Sequence, residues 1–200
     1  MRFKTILFDF DGVLSKGRFY EKTLLSKYPE IYAWIQDNIF GNKELVRQWM
    51  KNEINSASIN KMISEKTGIE FELLKKLYEE SISQMELEKG MIDLAKALIS
   101  NGKKIGIVTD NMDVFTQITI PNHGLDKIFD VIINSADYGI LKNEENGKLF
   151  DLALDLLNVN ISSSLMIDDS SQTVELFKKK GGEGILFNNI SQLQQLLSEY

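Results

Sequence analysis

Five short, nearly continuous apolar runs punctuate the chain. They are Phe3 to Phe8 closing on Asp9, Lys104 to Val108, Phe129 to Asn134, Leu165 to Ile167 and Gly184 to Phe187. Each is mostly Ile, Val, Leu or Phe, the pattern of strands covered on both faces of a parallel sheet. Between the later runs the apolar period lengthens. Met91, Leu94, Ala95, Leu98 and Ile99 recur at i, i+3, i+4, i+7 and i+8, ahead of a Gly102 placed as a C-terminal cap. Leu149, Phe150, Ala153, Leu156 and Leu157 make a second stripe, and Val174 with Phe177 begins a third that stops at Gly181-Gly182. This alternation predicts an α/β fold with a Rossmann-like, doubly wound parallel sheet.

The stretch from Ser15 to Lys89 breaks the alternation and contains no convincing strand. Its pattern predicts successive helices over about 28–39, 43–52, 56–66 and 70–86, with Asn55 or Ser56 as an N-cap and Gly68 as a stop. The expected organisation is therefore a core built from residues 1–14 and 90–200, and an all-helical cap, residues 15–89, inserted after the first strand. An insertion at that point sits above the carboxyl edge of the sheet, where open α/β folds bind ligands.

Composition narrows the function. With 23 Lys and Arg against 29 Asp and Glu, the net charge of −6 argues against nucleic acid or an anionic membrane as partner, since both demand a basic face. The absence of cysteine removes disulfides and thiolate metal sites. Neither a leader-like apolar segment nor a run approaching roughly 20 apolar residues is visible, so a soluble, cytoplasmic chain is expected.

The chemistry lies at the strand ends. The first run closes Asp9-Phe10-Asp11-Gly12, and residues i and i+2 of an extended chain point the same way. The second ends Thr109-Asp110-Asn111, a hydroxyl ahead of a helix, where free N–H groups favour an anion. Lys142 follows the third run, and Asp168-Asp169 closes the fourth. Taken singly, these features read as a turn, an N-cap, a surface charge and a cap cluster. Together, Asp9, Asp11, Asp168 and Asp169 with Lys142 would gather a net charge of −3 in one crevice, which demands a cation. An all-oxygen donor set favours Mg²⁺ over Zn²⁺. Such a centre suits a phosphoryl group attacked by a carboxylate.

The order Asp-x-Asp-Gly-Val-Leu, strand-end Thr, Gly-x-x-Lys and Asp-Asp resembles the haloacid dehalogenase superfamily over essentially the whole chain. The helical insertion is similar to that family's first-position cap, and the stretch from Trp49 to Leu87 is faintly similar to caps of small phosphatase members. The resemblance implies Asp9 as nucleophile and Mg²⁺ ligand. It implies that Asp11 gives its carbonyl to the metal and its carboxyl as general acid, then base. Thr109 and Lys142 would hold the phosphoryl group, with Asp110 at the substrate site. Asp169 would complete the metal shell, with Asp168 close by or acting through water. Asp11 points to phosphate chemistry, because haloalkanoate dehalogenases and phosphonate-cleaving members lack an acid there.

Two departures stand out: Asp110 where family members often have Asn, and Asn143 where they usually have Pro. The implied function is an Mg²⁺-dependent phosphatase for a small phosphorylated metabolite, a sugar phosphate or something nucleotide-like. A phosphomutase and a catalytically silent binding protein are the alternatives. Receiver domains also gather acids, a Thr and a Lys, yet they are shorter, uncapped and differently ordered. Elsewhere, His123 reads as structural, Trp34 and Trp49 as packing within the insertion, and Arg18, Tyr20, Arg47 and Lys51 as surface residues. Glu79-Glu80 and Glu144-Glu145 read as solvated faces.

Overall fold

The computed structural model describes residues 3–198. Five strands, β1 (Thr5–Phe8), β2 (Lys104–Thr109), β3 (Val131–Asn134), β4 (Ser164–Asp168) and β5 (Glu183–Leu186), form one sheet in the order β3-β2-β1-β4-β5. Every pairing is parallel. The sheet is buried on both faces with the period of two that strands impose. Ile6, Phe8, Ile105, Ile107, Leu165 and Ile167 enter one core with Met91, Ala95 and Leu98 of the helix Lys89–Ser100. Leu7, Val108, Val131, Ile133 and Met166 enter the other, with the helix Lys148–Leu157 and with Phe177 of Ser171–Lys179.

The chain moves outward from β1 through β2 to β3, then returns to the other side of β1 for β4. The strand order thus reverses at β1, and the crevice opens beyond its carboxyl end. Phe8 pairs in register with both Ile107 and Ile167, so the residues that follow these three strands emerge side by side.

Between β1 and β2 the described residues form no strand. Helices occupy Glu21–Leu24, Pro29–Ile35, Lys43–Met50, Ser56–Thr67 and Phe71–Ser83, and the second continues in a wider π turn over Gln36–Phe40. Their ends follow local chemistry. Asn42 and Asn55 cap two of them by accepting the backbone N–H of Leu45 and Ser58. Gly68, the predicted stop, closes Ser56–Thr67 at φ +76. A third core lies within this layer, holding Trp49, Tyr20, Tyr78, Ile59, Ile63 and Leu74, and taking in Met112 and Val114 from the segment after β2. Entry and exit of the insertion run side by side: Ser15 bridges to Leu87, and the Glu88 N–H donates to the Leu14 carbonyl at 2.8 Å.

Some expectations need correction. Tyr20 is fully buried and its hydroxyl donates to Asn60 Oδ1 at 3.1 Å, because the chain turns it inward at φ +64. Glu144 is half-buried and ion-paired, not a solvated face. His123 closes a helical turn, Ile120–His123. No helix of the described residues is long and apolar enough to cross a membrane.

Candidate active site at the carboxyl edge of the sheet

Asp9 leaves β1 directly into the crevice, and its carboxylate lies with those of Asp168 and Asp169 in a group whose ligand oxygens fall within 4.8 Å of one another. Lys142 enters from the loop after β3. Its ammonium is 2.8 Å from Asp9 Oδ2 and 2.7 Å from Asp168 Oδ2, and the side chain is only 5% exposed. Burial works against the Lys142 charge, but Asp9, Asp168 and Asp110 outweigh it and hold the ammonium well above its ordinary range. Asp168 is completely buried and is pushed up to about 6 by that burial, with Lys142 pulling the other way. Asp169 faces outward and is raised by desolvation and then by Asp9.

The local backbone makes this crowding possible. Gly12 sits at φ +78, and a Cβ there would lie 2.1 Å from Asp169 Oδ2. Only glycine fits both the left-handed conformation and the contact. The turn is tied by the Gly12 N–H donating to the Ser15 carbonyl at 2.7 Å.

Asp11 lies on the cavity side of Asp9 and retains solvent contact. Enclosure by the cavity walls, then the charge of Asp9, raises its carboxyl to about 7. Asn111 Nδ2 donates to Asp11 Oδ2 at 2.9 Å. Thr109 is buried at the end of β2, and its Oγ1 has no hydrogen-bond partner among the described residues. Asp110 Oδ1 accepts the Lys142 backbone N–H at 2.7 Å, so one oxygen of this carboxylate holds the lysine loop. Burial raises Asp110 to about 6. The anion site expected from free N–H groups after Thr109 is partly spent: the Asn111 N–H goes to Ser135 Oγ and the Met112 N–H to Asn111 Oδ1.

All the carboxylates read from the sequence therefore converge with Lys142 and Thr109 at one edge. What the sequence did not single out is the outer wall. A cavity of about 630 Å³ runs from Asp11, Gly12 and Asp110 up to Phe19, Gln36, Phe40, Val46 and Met50 of the inserted layer, with Lys16 and Arg18 at its rim. The layer is fastened beside this cavity. Arg47 Nη2 lies 2.6 Å and Lys51 Nζ 3.4 Å from the Glu144 carboxylate, and Glu144 Oε2 accepts the Leu141 N–H, one residue before Lys142. Asn111 was detectable as a polar residue two positions past the strand-end threonine; Glu144 gave no local signal.

The donor set suits a hard divalent cation: three carboxylates converge with one ammonium, leaving excess negative charge at a partly desolvated edge. The buried Thr109 hydroxyl, without a hydrogen-bond partner among the described residues, suits an anion.

Comparisons with known proteins agree with this geometry. A pyrimidine 5'-nucleotidase of Escherichia coli (strain K12) is 33% identical over 85 residues, which is 42% of this chain and 36% of that protein. The match thus spans about a third of the nucleotidase's length. A pyrophosphatase, PpaX, of Listeria monocytogenes serotype 4a (strain HCC23) is 26% identical over 180 residues, 87% of this chain and 78% of its own. In structure, a HAD family enzyme of Bacteroides thetaiotaomicron, an aspartate-to-alanine mutant in complex with magnesium and inorganic phosphate, superposes at a TM-score of 0.72. It is 15% identical and covers 96% of this chain and 98% of that one. The model of haloacid dehalogenase-like hydrolases matches residues 3–179, which takes in β1 to β4 and every convergent side chain described above. With that match spanning nearly its whole length, this chain belongs to the haloacid dehalogenase-like hydrolase family.

Proposed function

We propose that this hydrolase is an Mg²⁺-dependent phosphatase that cleaves a small phosphorylated metabolite through an aspartyl-phosphate on Asp9, with residues 15–89 acting as a cap over the site. One observation carries the reading: Asp9, paired with the Lys142 ammonium at 2.8 Å, is two residues from Asp11, which lines a cavity whose outer wall is the inserted helical layer.

Asp9, Asp168 and Asp169, with the Asp11 carbonyl, would hold the ion. Bound there, Mg²⁺ would neutralise the carboxylates and draw charge from the phosphoryl oxygens. The residues of the chain do the rest. Asp9 attacks phosphorus, forming its P–O bond as the ester P–O bond breaks. The departing alkoxide takes a proton from Asp11. Asp11, now ionised, removes a proton from water as that water attacks the phosphorylated Asp9, which releases inorganic phosphate and frees the carboxylate. Thr109 Oγ1 and Lys142 Nζ hold the transferring oxygens, while Asp110 keeps the lysine loop in place.

The cavity favours one of the two substrate classes that the sequence left open. Phe19, Phe40, Val46, Met50 and Met112 give it apolar walls, with the Phe19 and Phe40 ring centroids 6.2 Å apart and their planes inclined by 29°. A nucleoside's flat base would pack against these walls, whereas a polyol sugar would find partners only on the polar part of the lining, Ser15, Lys16, Arg18 and Gln36. The name of the nucleotidase relative points the same way.

The test is phosphate release from p-nitrophenyl phosphate and then from nucleoside and sugar monophosphates, with Mg²⁺ and with EDTA, by the full chain and by Asp9→Asn. Turnover that needs the metal and is lost in the variant supports the mechanism. Metal-independent turnover, or full activity of Asp9→Asn, overturns it.

A further inference from the structure

Asp11 is held less firmly than its neighbours. It retains solvent contact within the cavity, so packing alone does not select its rotamer. Its carboxyl accepts a hydrogen bond from Asn111, a residue just 2% exposed, at 2.9 Å to Oδ2. The Asn111 amide is itself oriented, since its Oδ1 accepts the Met112 backbone N–H at 2.9 Å and the Nδ2 donor must therefore face Asp11. Its backbone is anchored as well: the Asn111 N–H donates to Ser135 Oγ at 3.0 Å, and Ser135 Oγ donates to the Met50 carbonyl at 2.6 Å. Met50 is the last residue of the inserted helix Lys43–Met50.

We propose that Asn111 is the positioning residue for the general acid, fixing which oxygen of Asp11 carries the transferable proton. The inference rests on the reading of Asp11 as acid and base in the proposed function. An oxygen that accepts an N–H bond is less basic than its partner oxygen, because the donor already stabilises its negative charge. Asn111 occupies Oδ2, so the proton resides on Oδ1, and the torsion of the carboxyl is set at the same time. The hydrogen-bond path from Met50 through Ser135 to Asn111 ties this orientation to the docked position of the inserted helix. The acid is thus aligned when that helix is seated against the core.

Leaving-group dependence tests this without relying on the folded state alone. A series of substituted phenyl phosphates, from phenyl to p-nitrophenyl, varies the need for a proton while barely changing shape. Proteins compared are the full chain, Asp11→Asn, Asn111→Ala and Asn111→Leu, the last keeping close to the original volume without a donor. Since general acids contribute about 10²–10⁴-fold, both Asn111 variants should lose about tenfold or more in kcat on phenyl phosphate and several-fold less on p-nitrophenyl phosphate. The slope of log kcat against leaving-group basicity then steepens towards that of Asp11→Asn. A uniform loss across the series, with Asp11→Asn still steep, overturns the role of Asn111 and leaves the acid standing. A flat response in Asp11→Asn itself overturns the acid reading and this inference with it. Crystal structures of both Asn111 variants give a readout independent of turnover: Asp11 should leave its present rotamer, and an unmoved Asp11 carboxyl overturns the proposal.

Discussion

Gly12 and Asp169 approach so closely that even a methyl group on Gly12 would fall 2.1 Å from the Asp169 carboxylate. The first acidic strand end and the fourth are thus in contact through a residue with no side chain. Gly12→Ala should do two things. Its φ of +78 is strained for any L side chain, costing about 1 kcal/mol or more. The new methyl must also push Asp169 out of its group with Asp9 and Asp168. The expected outcome is a tenfold or greater rise in the Mg²⁺ concentration for half-maximal activity, on the order of 1.4 kcal/mol of lost metal binding. A metal titration of the variant checks it; unchanged Mg²⁺ dependence would remove Asp169 from the metal shell.

The Lys142 ammonium is the single cation between Asp9 and Asp168 among the described residues, and the prediction for its loss follows from burial. Lys142→Ala leaves Asp168, completely buried, without its counter-charge. Breaking a buried pair by removing one partner costs about 3–5 kcal/mol. Denaturant unfolding at neutral pH should register that loss, and turnover should fall because the phosphoryl group loses its ammonium. The double variant Lys142→Met with Asp168→Leu should recover much of the stability and none of the activity, which separates the two roles.

Metal-free protein should become less stable as pH rises through the weakly acidic range. Asp168 and Asp110 are raised to about 6, each chiefly by desolvation. Their folded values exceed the ordinary carboxylate value, so between about pH 4 and 7 the folded state binds more protons than the unfolded state. Stability is then fully present below the unfolded value and is lost as pH climbs through the folded ones. Thermal melts in EDTA from pH 4 to 7.5 should show a falling midpoint, and added Mg²⁺ should restore it most at the upper end. A midpoint that rises monotonically over this range would contradict the arrangement of charges.

The parts of this site that could be read from the sequence are those governed by short-range rules. Strand ends were visible because Ile6-Leu7-Phe8 and Leu165-Met166-Ile167 are buried on both faces, so composition alone marks where they stop. Asn55 and Gly68 were visible because caps depend on a few neighbouring residues. The pairing of Lys142 with Asp168 was not. It depends on β4 continuing through Asp168, which turns that side chain to the face where Lys142 arrives and leaves Asp169 exposed. Tyr20 and Glu144 were misread for the same reason, since their partners Asn60 and Arg47 lie 40 and 97 positions away. No local pattern encodes such pairings.

Asp113 joins the core to the inserted layer and yields the last prediction. Its carboxylate is buried just past the strand-end motif of β2 and receives the Ser56 backbone N–H at 3.2 Å, the Trp49 indole N–H at 3.3 Å and the Ser56 hydroxyl. Ser56 begins the helix Ser56–Thr67, so this acid meets the positive end of a helix as well as three donors. Asp113→Ala leaves the Ser56 backbone N–H without its acceptor, whereas the Trp49 indole keeps Ser56 Oγ at 3.0 Å and the Ser56 hydroxyl keeps the Tyr78 hydroxyl at 3.3 Å. An orphaned buried donor costs about 1–3 kcal/mol, and more where the lost partner was charged. The melting temperature should drop by several degrees or more, whereas Asp113→Asn, which keeps an acceptor oxygen, should lose less. Because Asp113 follows Met112, whose N–H holds the Asn111 amide, loosening it should also disturb the Asn111–Asp11 hydrogen bond. Turnover on phenyl phosphate should therefore fall further than turnover on p-nitrophenyl phosphate, even at temperatures where the variant is fully folded. Equal losses on the two substrates, measured well below the melting transition, would confine Asp113 to anchoring the helix.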